Sequence, residues 1–232
     1  AGNSAGGDRD VTSAYFETLV PILPDLEMSV AGRYDDYSDY GSDFSPKVSF
    51  RWQPLDELTL RASYGEGFRA PSLDIITQLD SFSADSVEDE ATCLVAGEPA
   101  NCSIQINGLR TANPDLESEQ SKQFSFGVAY QPFDWINGTL DYWNIEISDR
   151  IAFFGAQTLV NRELAGDPIP PGLGVERDPT TGAIQRIVQG YGNEGTVEVD
   201  GFDLNVGTTF DVVGGRLSNN LIVAWTNSYS ID

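Results

Sequence analysis

The sequence Val48-Ser49-Phe50-Arg51-Trp52 alternates apolar with polar side chains. After Gln53-Pro54-Leu55-Asp56-Glu57 it is followed by a second alternating run, Leu58-Thr59-Leu60-Arg61-Ala62-Ser63-Tyr64. The same unit of strand, short turn and strand returns at 124–147 and at 202–229. Alternating segments of about ten residues, with short turns at one end and long loops at the other, are typical of an outer-membrane β-barrel.

This pattern predicts an all-β fold, an antiparallel up-and-down transmembrane β-barrel of which the chain supplies about eight consecutive strands. The predicted strands are 8–20, 26–38, 43–54, 58–70, 119–131, 136–153, 193–213 and 216–230. The predicted tight turns are 21–25, 55–57, 132–135 and 214–215. On the opposite, extracellular rim we expect a short loop at 39–42 and long, structureless loops at 71–118 and 154–192.

The parity of the strands assigns two faces of different polarity. The face expected to contact lipid carries Met28, Val30, Val48, Phe50, Trp52, Leu58, Leu60, Tyr64, Phe124, Phe126, Val128, Tyr130, Leu221, Val223 and Trp225. The interior face carries Ser29, Arg33, Lys47, Ser49, Arg51, Thr59, Arg61, Ser63, Gln123, Ser125, Ser218 and Asn220. Arginines on that face favour a lumen holding water or a plug. The alternative is a soluble or surface-attached β-sandwich adhesin, which would bury the apolar face against a second sheet.

Two features refine the strand prediction. The alternation slips near Tyr142-Trp143 and at Asp200-Gly201, and a β-bulge at Gly201 would explain the second slip. Aromatic residues cluster at strand ends, which favours two interfacial girdles over ordinary strand propensity. One group is Trp52, Tyr130, Phe133 and Trp135 beside the short turns; the other is Tyr34, Tyr37, Tyr40, Tyr64 and Phe68 near the long loops.

The composition excludes several kinds of chemistry. Thirteen basic residues stand against 36 acidic ones, a net charge of -23 that disfavours nucleic acid as a partner. Histidine is absent, which removes imidazole metal sites and Ser-His-Asp triads. Carboxylate pairs formally permit a glycosidase, but acids in loops are usually only solvated, so we expect no enzyme and no cofactor. The spacing of Asp35, Asp36, Asp39 and Asp43 does not match a calcium-binding EF-hand loop.

Cys93 and Cys102 are the only cysteines, and they lie in the acidic loop 71–118. Two thiolates cannot complete a tetrahedral zinc site without further ligands. We therefore expect a local disulfide that closes this part of the loop, formed in an oxidising compartment such as the periplasm or cell surface. Two unrelated free cysteines are the alternative.

Several motifs resemble those of TonB-dependent outer-membrane receptors. They are Arg33 to Gly41 followed by Ser45-Pro46-Lys47, the run from Leu60 through Arg69-Ala70-Pro71-Ser72, the block Asn113-Pro114-Asp115-Leu116-Glu117-Ser118-Glu119, and Asn193-Glu194-Gly195 before Val199-Asp200-Gly201-Phe202-Asp203. The family typically has Lys and Pro where this chain has Glu117 and Ser118. The blocks lie in order across most of the chain.

The resemblance implies a 22-stranded barrel, filled by an N-terminal plug, in the bacterial outer membrane. Such a receptor binds a scarce nutrient, for example a carbohydrate or an iron–siderophore complex, and imports it with energy from the TonB complex. Residues 1–232 are then expected to be part of a single barrel domain that contacts outer-membrane lipid. The plug, the TonB box and the terminal strands are missing from this sequence, which starts at Ala1 without a signal peptide, so we expect a processed start or an internal fragment.

Parity also predicts strand register. Across 39–42 we expect Val30 opposite Trp52, Gly32 opposite Phe50, Tyr34 opposite Val48 and, inside, Asp35 opposite Lys47. Across 55–57 we expect Leu60 opposite Trp52 and Arg61 opposite Arg51. Like charges directly opposed destabilise a sheet. Carboxylates of the missing plug are therefore expected to dock on Arg51 and Arg61, unless both side chains simply extend into water.

Overall fold

The computed structural model describes residues 4–232, so the first three residues of the predicted domain lie outside the described part. The chain divides into two compact units. We call Val11–Arg69, Glu119–Asp149 and Gly195–Asp232 the sheet unit. We call the other segments, Ala70–Ser118 and Arg150–Glu194 with the residues before Val11, the loop unit.

In chain order the elements are β1 (Val11–Leu23), β2 (Leu26–Tyr37), β3 (Gly41–Leu55), β4 (Leu58–Arg69), α1 (Leu73–Thr77), β5 (Ser81–Glu88), α2 (Glu90–Val95), β6 (Ser103–Arg110), β7 (Glu119–Phe133), β8 (Ile136–Ser148), β9 (Ile151–Phe154), α3 (Ala156–Ala165), β10 (Gly174–Arg177), β11 (Ile184–Asn193), β12 (Val197–Val212) and β13 (Gly215–Ile231). No helix within residues 4–232 has the length and apolar character needed to cross a membrane.

The sheet unit is one eight-stranded sheet in the order β1-β2-β3-β4-β7-β8-β12-β13. Its neighbours pair in antiparallel fashion throughout, which confirms the predicted eight strands of a barrel. Long strands form here because alternating side chains satisfy two different environments along every strand.

Three strands run closer to their turns than predicted, and each carries a proline near its end. The register shifts between Pro21 and Leu23, between Trp52 and Leu55, and between Tyr130 and Phe133. Pro54 and Pro132 lie inside the last two shifts. A bulge leaves one residue out of the ladder, so a proline there forfeits no inter-strand hydrogen bond. The turns shrink to two residues each, 24–25, 56–57 and 134–135.

The register between β3 and β4 is as predicted, with Trp52 opposite Leu60 and Arg51 opposite Arg61.

The predicted register between β2 and β3 is wrong by four residues. Val30 lies opposite Val48, not Trp52, and Asp35 lies opposite Asp43, not Lys47. Gly32 pairs with Pro46 and Tyr34 with Phe44, so those two predictions are wrong as well. Gly41 has a φ of +121°, a conformation that L side chains rarely adopt, and it closes a turn directly after Tyr40. The two strands therefore stay paired up to Tyr37 and Gly41.

Parity was nevertheless correct, because apolar side chains follow one another across the sheet. One ladder row is Leu26, Trp52, Leu60, Val128, Leu140, Leu204 and Val223, and the next is Met28, Phe50, Ala62, Phe126, Tyr142, Phe202 and Trp225. We call these two rows the apolar belt. Phe126 is 44% exposed and Trp225 is 61% exposed, whereas a β-sandwich would bury such side chains between two sheets.

The predicted bulge at Gly201 is confirmed by a register shift between Asp200 and Gly201. No shift occurs at Tyr142-Trp143. Trp143 simply points to the polar face, where its ring lies over Gly201; a Cβ there would come within 2.6 Å of the indole.

Aromatic side chains meet at both ends of the sheet unit. Beside the short turns, Trp135 stacks between Phe133 and Phe210 with ring centroids 5.8 and 5.3 Å away. At the other end, Tyr37 contacts Tyr40 and Phe68. Grouping at the two ends is the arrangement expected of interfacial girdles.

The loop unit has a fold of its own, which corrects the prediction that 71–118 and 154–192 are structureless. Its sheet has the order β10-β11-β6-β5, with β9 paired to β11. Strands β6 and β11 pair in parallel although they come from different loops. The hydrophobic core of this unit contains side chains of α3 and of the sheet, namely Val87, Ile106, Phe154, Ala156, Leu159, Val160, Ile184 and Ile187.

Candidate functional site

A cavity of about 470 Å³ opens on the polar face of the sheet unit, lined in part by Ser29, Ser49, Ser63 and Ser125. These serines follow one another along a single ladder row, and the hydroxyls of Ser63 and Ser125 lie 2.8 Å apart. Because serine side chains are small and polar, water can hydrate this part of the sheet and space remains in front of it.

The next ladder row on the same face is charged. It runs Glu27, Arg51, Arg61, Gly127 and Asp141. Arg61 donates to both carboxylate oxygens of Asp141, from Nε at 2.8 Å and from Nη2 at 2.6 Å. This ion pair spans an intervening strand at Gly127, where a Cβ would lie 1.9 Å from Asp141 Oδ1.

Arg51 is held much less firmly than Arg61. Its Nη1 lies 3.7 Å from Glu27 Oε1, and its Nη2 donates to the neutral Gln53 side chain at 2.8 Å. The prediction that plug carboxylates compensate Arg51 and Arg61 takes only β3 and β4 into account. Glu27 and Asp141, on the strands beside them, already pair with the two arginines. The repulsion between the arginines is therefore not a reason for plug docking, and docking itself remains a prediction.

The motif Arg69-Ala70-Pro71-Ser72 lies where the chain leaves β4. Arg69 and Glu119 face each other across β4 and β7 and form an ion pair. Ala70 begins the loop unit. Pro71 is fully buried and its carbonyl accepts a hydrogen bond from Arg9 Nη2 at 2.8 Å. Ser72 precedes α1 without a capping side-chain hydrogen bond.

The motif Asn113-Pro114-Asp115-Leu116 fixes the base of the loop unit. Asn113 Nδ2 donates to the Tyr191 carbonyl at 2.8 Å, and Asn113 Oδ1 accepts from the Asp115 N–H at 3.0 Å. Leu116 is buried, whereas Pro114 and Asp115 are exposed.

A second asparagine repeats this contact in the reverse direction. Asn193 accepts from the Glu117 N–H and donates to the Glu117 carbonyl, both at 2.9 Å. These resemblance motifs thus have a structural role, because two side-chain amides join the segment before β7 to the end of β11.

The disulfide expected between Cys93 and Cys102 is present, with the Cα atoms 5.9 Å apart. Cys93 is fully buried in the second half of α2. Asp89 caps the start of this helix by accepting from the Thr92 N–H at 2.9 Å. The short helix is therefore held at both ends, which its six residues could not achieve by helix propensity alone.

Asp89 also anchors an ion-pair network. Arg177 donates to Asp89 Oδ1 at 2.8 Å and to Glu163 Oε2 at 2.8 Å, which connects β10 with α2 and α3. Burial opposes the ionisation of Asp89, but hydrogen bonds from Arg177 and Thr92 outweigh it and lower its pKa to about 2. Asp89 therefore remains charged at any physiological pH.

Sequence reasoning missed a polar cluster on the core-facing side of the loop-unit sheet. Ser83 and Gln189 both donate to Asp85, Gln189 at 2.6 Å. Gln189 is 1% exposed. Burial opposes ionisation, yet these hydrogen bonds and Arg110 lower the pKa of Asp85. The three side chains meet over Gly108, where a Cβ would lie 2.2 Å from Asp85 Oδ2. A glycine inside a strand was the signal that could have indicated this close approach.

An arginine and two aromatic rings border this cluster. Arg110 lies on the same sheet face, with its guanidinium carbon 5.6 Å from the ring centre of Phe153. The rings of Phe153 and Tyr191 meet edge-on at 5.2 Å. We call Arg110, Phe153 and Tyr191 the arginine–aromatic platform.

Asp35 and Asp43 lie opposite each other across β2 and β3, but they have different hydrogen-bond partners. Asp35 accepts from Arg33 at 2.7 Å, whereas Asp43 accepts from Gln120 at 2.9 Å. Within residues 4–232 no three acidic or cysteine side chains are grouped as a metal site.

The sheet unit carries an exposed apolar belt on one face and a row of charged side chains on the other, as the wall of a membrane β-barrel does. The model of the TonB-dependent receptor-like β-barrel family matches residues 1–232. The chain therefore belongs to this family, which is a family of receptors and not of enzymes.

Curated relatives agree with this assignment. The chain is 26% identical over 152 residues to a probable TonB-dependent siderophore receptor, PirA, of Acinetobacter baumannii, covering 63% of this chain and 19% of that protein. It is 22% identical over 159 residues to the ferric enterobactin receptor PirA of Pseudomonas aeruginosa, covering 65% and 20%. The chain thus spans about a fifth of these relatives.

Solved structures share the fold. The siderophore receptor PirA of A. baumannii superposes with a TM-score of 0.66 at 21% identity, over 95% of this chain and 29% of that one. A mutant of the ferric enterobactin receptor PfeA of P. aeruginosa, in complex with enterobactin, gives 0.61 at 18% identity, over 93% and 27%.

Proposed function

We propose that the chain is part of a receptor in the outer membrane of a Gram-negative bacterium that binds an iron–siderophore complex and imports it with energy from TonB. The observation that carries this proposal is the two-faced sheet, with an apolar belt suited to lipid on one side and a cavity lined by charged and hydroxyl side chains on the other. Such a wall can separate a hydrated lumen from a membrane. The partners of the whole receptor are then lipid, the nutrient and the TonB complex.

The siderophore class is favoured over carbohydrates by the relatives, whose names specify siderophore and ferric enterobactin receptors. The ligand contacts are assigned to the loop unit, because it has its own core, disulfide and ion-pair network and can therefore hold side chains in fixed positions.

The test is uptake of radioactive iron by iron-starved cells that carry or lack the full-length gene, in the presence and absence of TonB. We expect uptake from at least one siderophore to require both. A strain that takes up every iron complex normally but has lost uptake of a carbohydrate would contradict the proposal.

We also propose that a carboxylate of the plug docks on Arg51, and that Arg61 forms the wall beside it. Arg51 is half-exposed beside a carboxylate 3.7 Å away, whereas Arg61 is bound to both oxygens of Asp141. A loosely paired guanidinium can accept a further carboxylate at little cost.

In full-length protein, Arg51→Glu should loosen the plug and raise permeability to large antibiotics while nutrient affinity stays nearly unchanged. Lys47→Glu, another interior cation outside this row, is the control. Arg61→Glu should leak only through damage to the wall, and the swap Arg61→Asp with Asp141→Arg should repair it. Normal permeability combined with lost nutrient binding would identify Arg51 as a ligand contact instead.

A further inference from the structure

Strand β5 forms one edge of the loop-unit sheet. It pairs with β6 and has no second strand beside it within residues 4–232. Glu88, at its end, shows which backbone groups face that edge. The Glu88 N–H donates to Gln157 Oε1 at 2.7 Å, and the Glu88 carbonyl accepts from Gln157 Nε2 at 3.3 Å. Because backbone groups alternate in direction along a strand, those of Phe82, Ala84 and Ser86 face the same edge.

Little in β5 itself shields this edge. Open edges are commonly shielded by lysine, by proline, by a bulge or by a covering segment. The strand contains neither lysine nor proline, and it pairs with β6 over eight residues without a register shift. The Phe82 side chain is 73% exposed. The Gln157 side chain covers only the last residue of the edge. A covering segment is therefore the remaining way to shield it.

The chain before β1 is directed towards this edge. The Ser4 carbonyl accepts a hydrogen bond from the Leu79 N–H at 2.8 Å, and Ala5 forms an antiparallel bridge with Gln78. Strand β5 begins shortly afterwards, at Ser81. In an antiparallel pair, the residues that precede Ser4 run beside those that follow Leu79. The chain upstream of Ser4 is therefore aligned with β5.

The other side of the segment before β5 is already occupied by the chain that leaves β6. Gln78 Nε2 donates to the Thr111 carbonyl at 2.7 Å, and the Asn113 N–H donates to the Ile75 carbonyl at 3.2 Å. Ser4 thus lies on the side away from β6, which is the side of the open edge.

We propose that the upstream segment, the part of the full-length receptor that precedes Ser4, forms a β-strand that pairs antiparallel with the open edge of β5 and covers Phe82. Strand addition of this kind gains affinity from backbone hydrogen bonds and specificity from alternate side chains. The inference rests on the proposed function only in that the chain is part of a longer receptor.

Two observations identify the origin of the added strand. Val11 pairs with Tyr37, so β1 starts at the rim opposite the short turns, and the upstream segment belongs to the connection that enters the sheet there. The loop unit already joins strands of different connections, since β6 and β11 pair in parallel. Pairing with β5 would join a third connection to the same sheet.

The test is hydrogen exchange with single-residue resolution on the full-length receptor, purified with its disulfide intact and without ligand. The N–H groups of Ser83 and Asp85 face β6 and should be protected in any case. Those of Phe82, Ala84 and Ser86 should also exchange at least about tenfold more slowly than their intrinsic rates, the scale of one net backbone hydrogen bond. Intrinsic rates at these three positions, with Ser83 and Asp85 protected, would overturn the proposal.

Ala84→Pro removes the N–H at the centre of the open edge and no bond to β6, and proline is tolerated on edge strands. It should abolish the protection of Phe82 and Ser86 and speed exchange in the upstream segment, while the N–H groups that face β6 stay protected. Ala84→Ser, which keeps the N–H, is the matched control and should behave like wild type. Equal exchange of the upstream segment in the two variants would contradict the pairing.

Phe82→Ser leaves the backbone unchanged, so it remains informative if the proline variant does not fold. Loss of a cross-strand contact with Phe82 should speed exchange in the upstream segment about twofold to fivefold. Leu164→Ser, at a similarly exposed apolar side chain of α3 (68%), is the control and should have no effect there. The same change in both variants, or in neither, would mean that the upstream segment does not cover Phe82.

Two further outcomes separate the alternatives. Protection of the β5 edge that depends on receptor concentration would identify a second copy of the receptor as the partner and would overturn the proposal. Exchange is measured without a nutrient, so the result is independent of uptake. A receptor that imports no iron complex but shows this protection would refute the proposed function and still support the strand pairing.

Discussion

Arg61 and Asp141 form a two-bond ion pair across an intervening β-strand, and Gly127 is the residue that lets them meet. Directly opposed partners on adjacent strands are the usual unit of sheet stabilisation. Here the partners are two strands apart, which is within reach of an extended arginine only if the residue between them has no side chain. Because Gly127 lets Asp141 reach Arg61, it indirectly offsets the repulsion between the neighbouring guanidinium groups of Arg51 and Arg61.

Gly127→Ala should therefore break this ion pair, because its Cβ would overlap the Asp141 carboxylate. We expect a loss of about 1–2 kcal/mol in the free energy of unfolding, kept small because Arg61 is half-exposed. The measurement is urea unfolding of the full-length barrel in detergent. The double variant Arg61→Ala with Gly127→Ala should be little worse than either single variant, since both remove the same contact.

Gly65→Ala is the control for this prediction. It lies on the same face, in β4, and its Cβ would meet the flexible Lys47 side chain at 3.4 Å. A loss for Gly65→Ala as large as for Gly127→Ala would mean that any side chain added to this wall is destabilising, and that the ion pair is irrelevant.

The loop unit should lose stability in acid through Asp89. Because the pKa of Asp89 is lowered from 3.8 to about 2, its ionised form stabilises the fold fully above pH 4, and this stabilisation disappears as the pH falls through 2. The shift corresponds to about 2 kcal/mol. Hydrogen exchange of loop-unit amides in the full-length receptor, corrected for intrinsic rates, should show this loss.

Asp89→Asn should remove most of that pH dependence while lowering protection already at pH 5, since Asn can cap α2 but cannot pair with Arg177 as a charge. A smaller dependence should remain because Asp85 and Asp178 also have lowered pKa values. Glu90→Gln, at the neighbouring exposed position, should behave like wild type. Identical acid profiles for Asp89→Asn and wild type would refute the role of Asp89.

How much of the fold can be predicted from the sequence depends on how far apart in the chain the interacting residues lie. Period-two alternation is local, so the eight strands and the faces of Trp52 and Leu60 could be predicted. The register between β2 and β3 depends on the conformation of Gly41 in a single turn, and parity leaves registers four residues apart equally acceptable.

The fold of the loop unit could not be predicted in the same way. Strands β6 and β11 pair over three residues, and Gln189 finds Asp85 across more than a hundred positions. Short strands interrupted by Gly108 and Gly190 carry too little periodicity to be recognised. The arginine–aromatic platform depends on those pairings, so it became visible only in the structure.

The disulfide should stabilise the loop unit by roughly 2–3 kcal/mol, the chain-entropy value for so short a loop. Mass spectrometry without reductant should find neither Cys93 nor Cys102 alkylated. The paired substitution to serine should increase protease cleavage within 94–101, where Leu94 and Val95 are exposed. Two freely alkylated thiols in the native receptor would disprove the bond.

Asn113 should prove more important than its exposed neighbours in the same motif. Asn113→Ala removes the donor to the Tyr191 carbonyl and the acceptor for the Asp115 N–H, two backbone groups near the base of the loop unit. Leaving these two groups unpaired should lower the free energy of unfolding of the loop unit by about 1–3 kcal/mol.

Asp115→Ala, whose backbone N–H is unchanged, is the control. Hydrogen exchange in the full-length receptor should show faster exchange at residues 113–118 and 189–193 for Asn113→Ala only, while β7 and β8 retain their protection. Equal exchange in both variants would mean that Asn113 is not what joins the two segments.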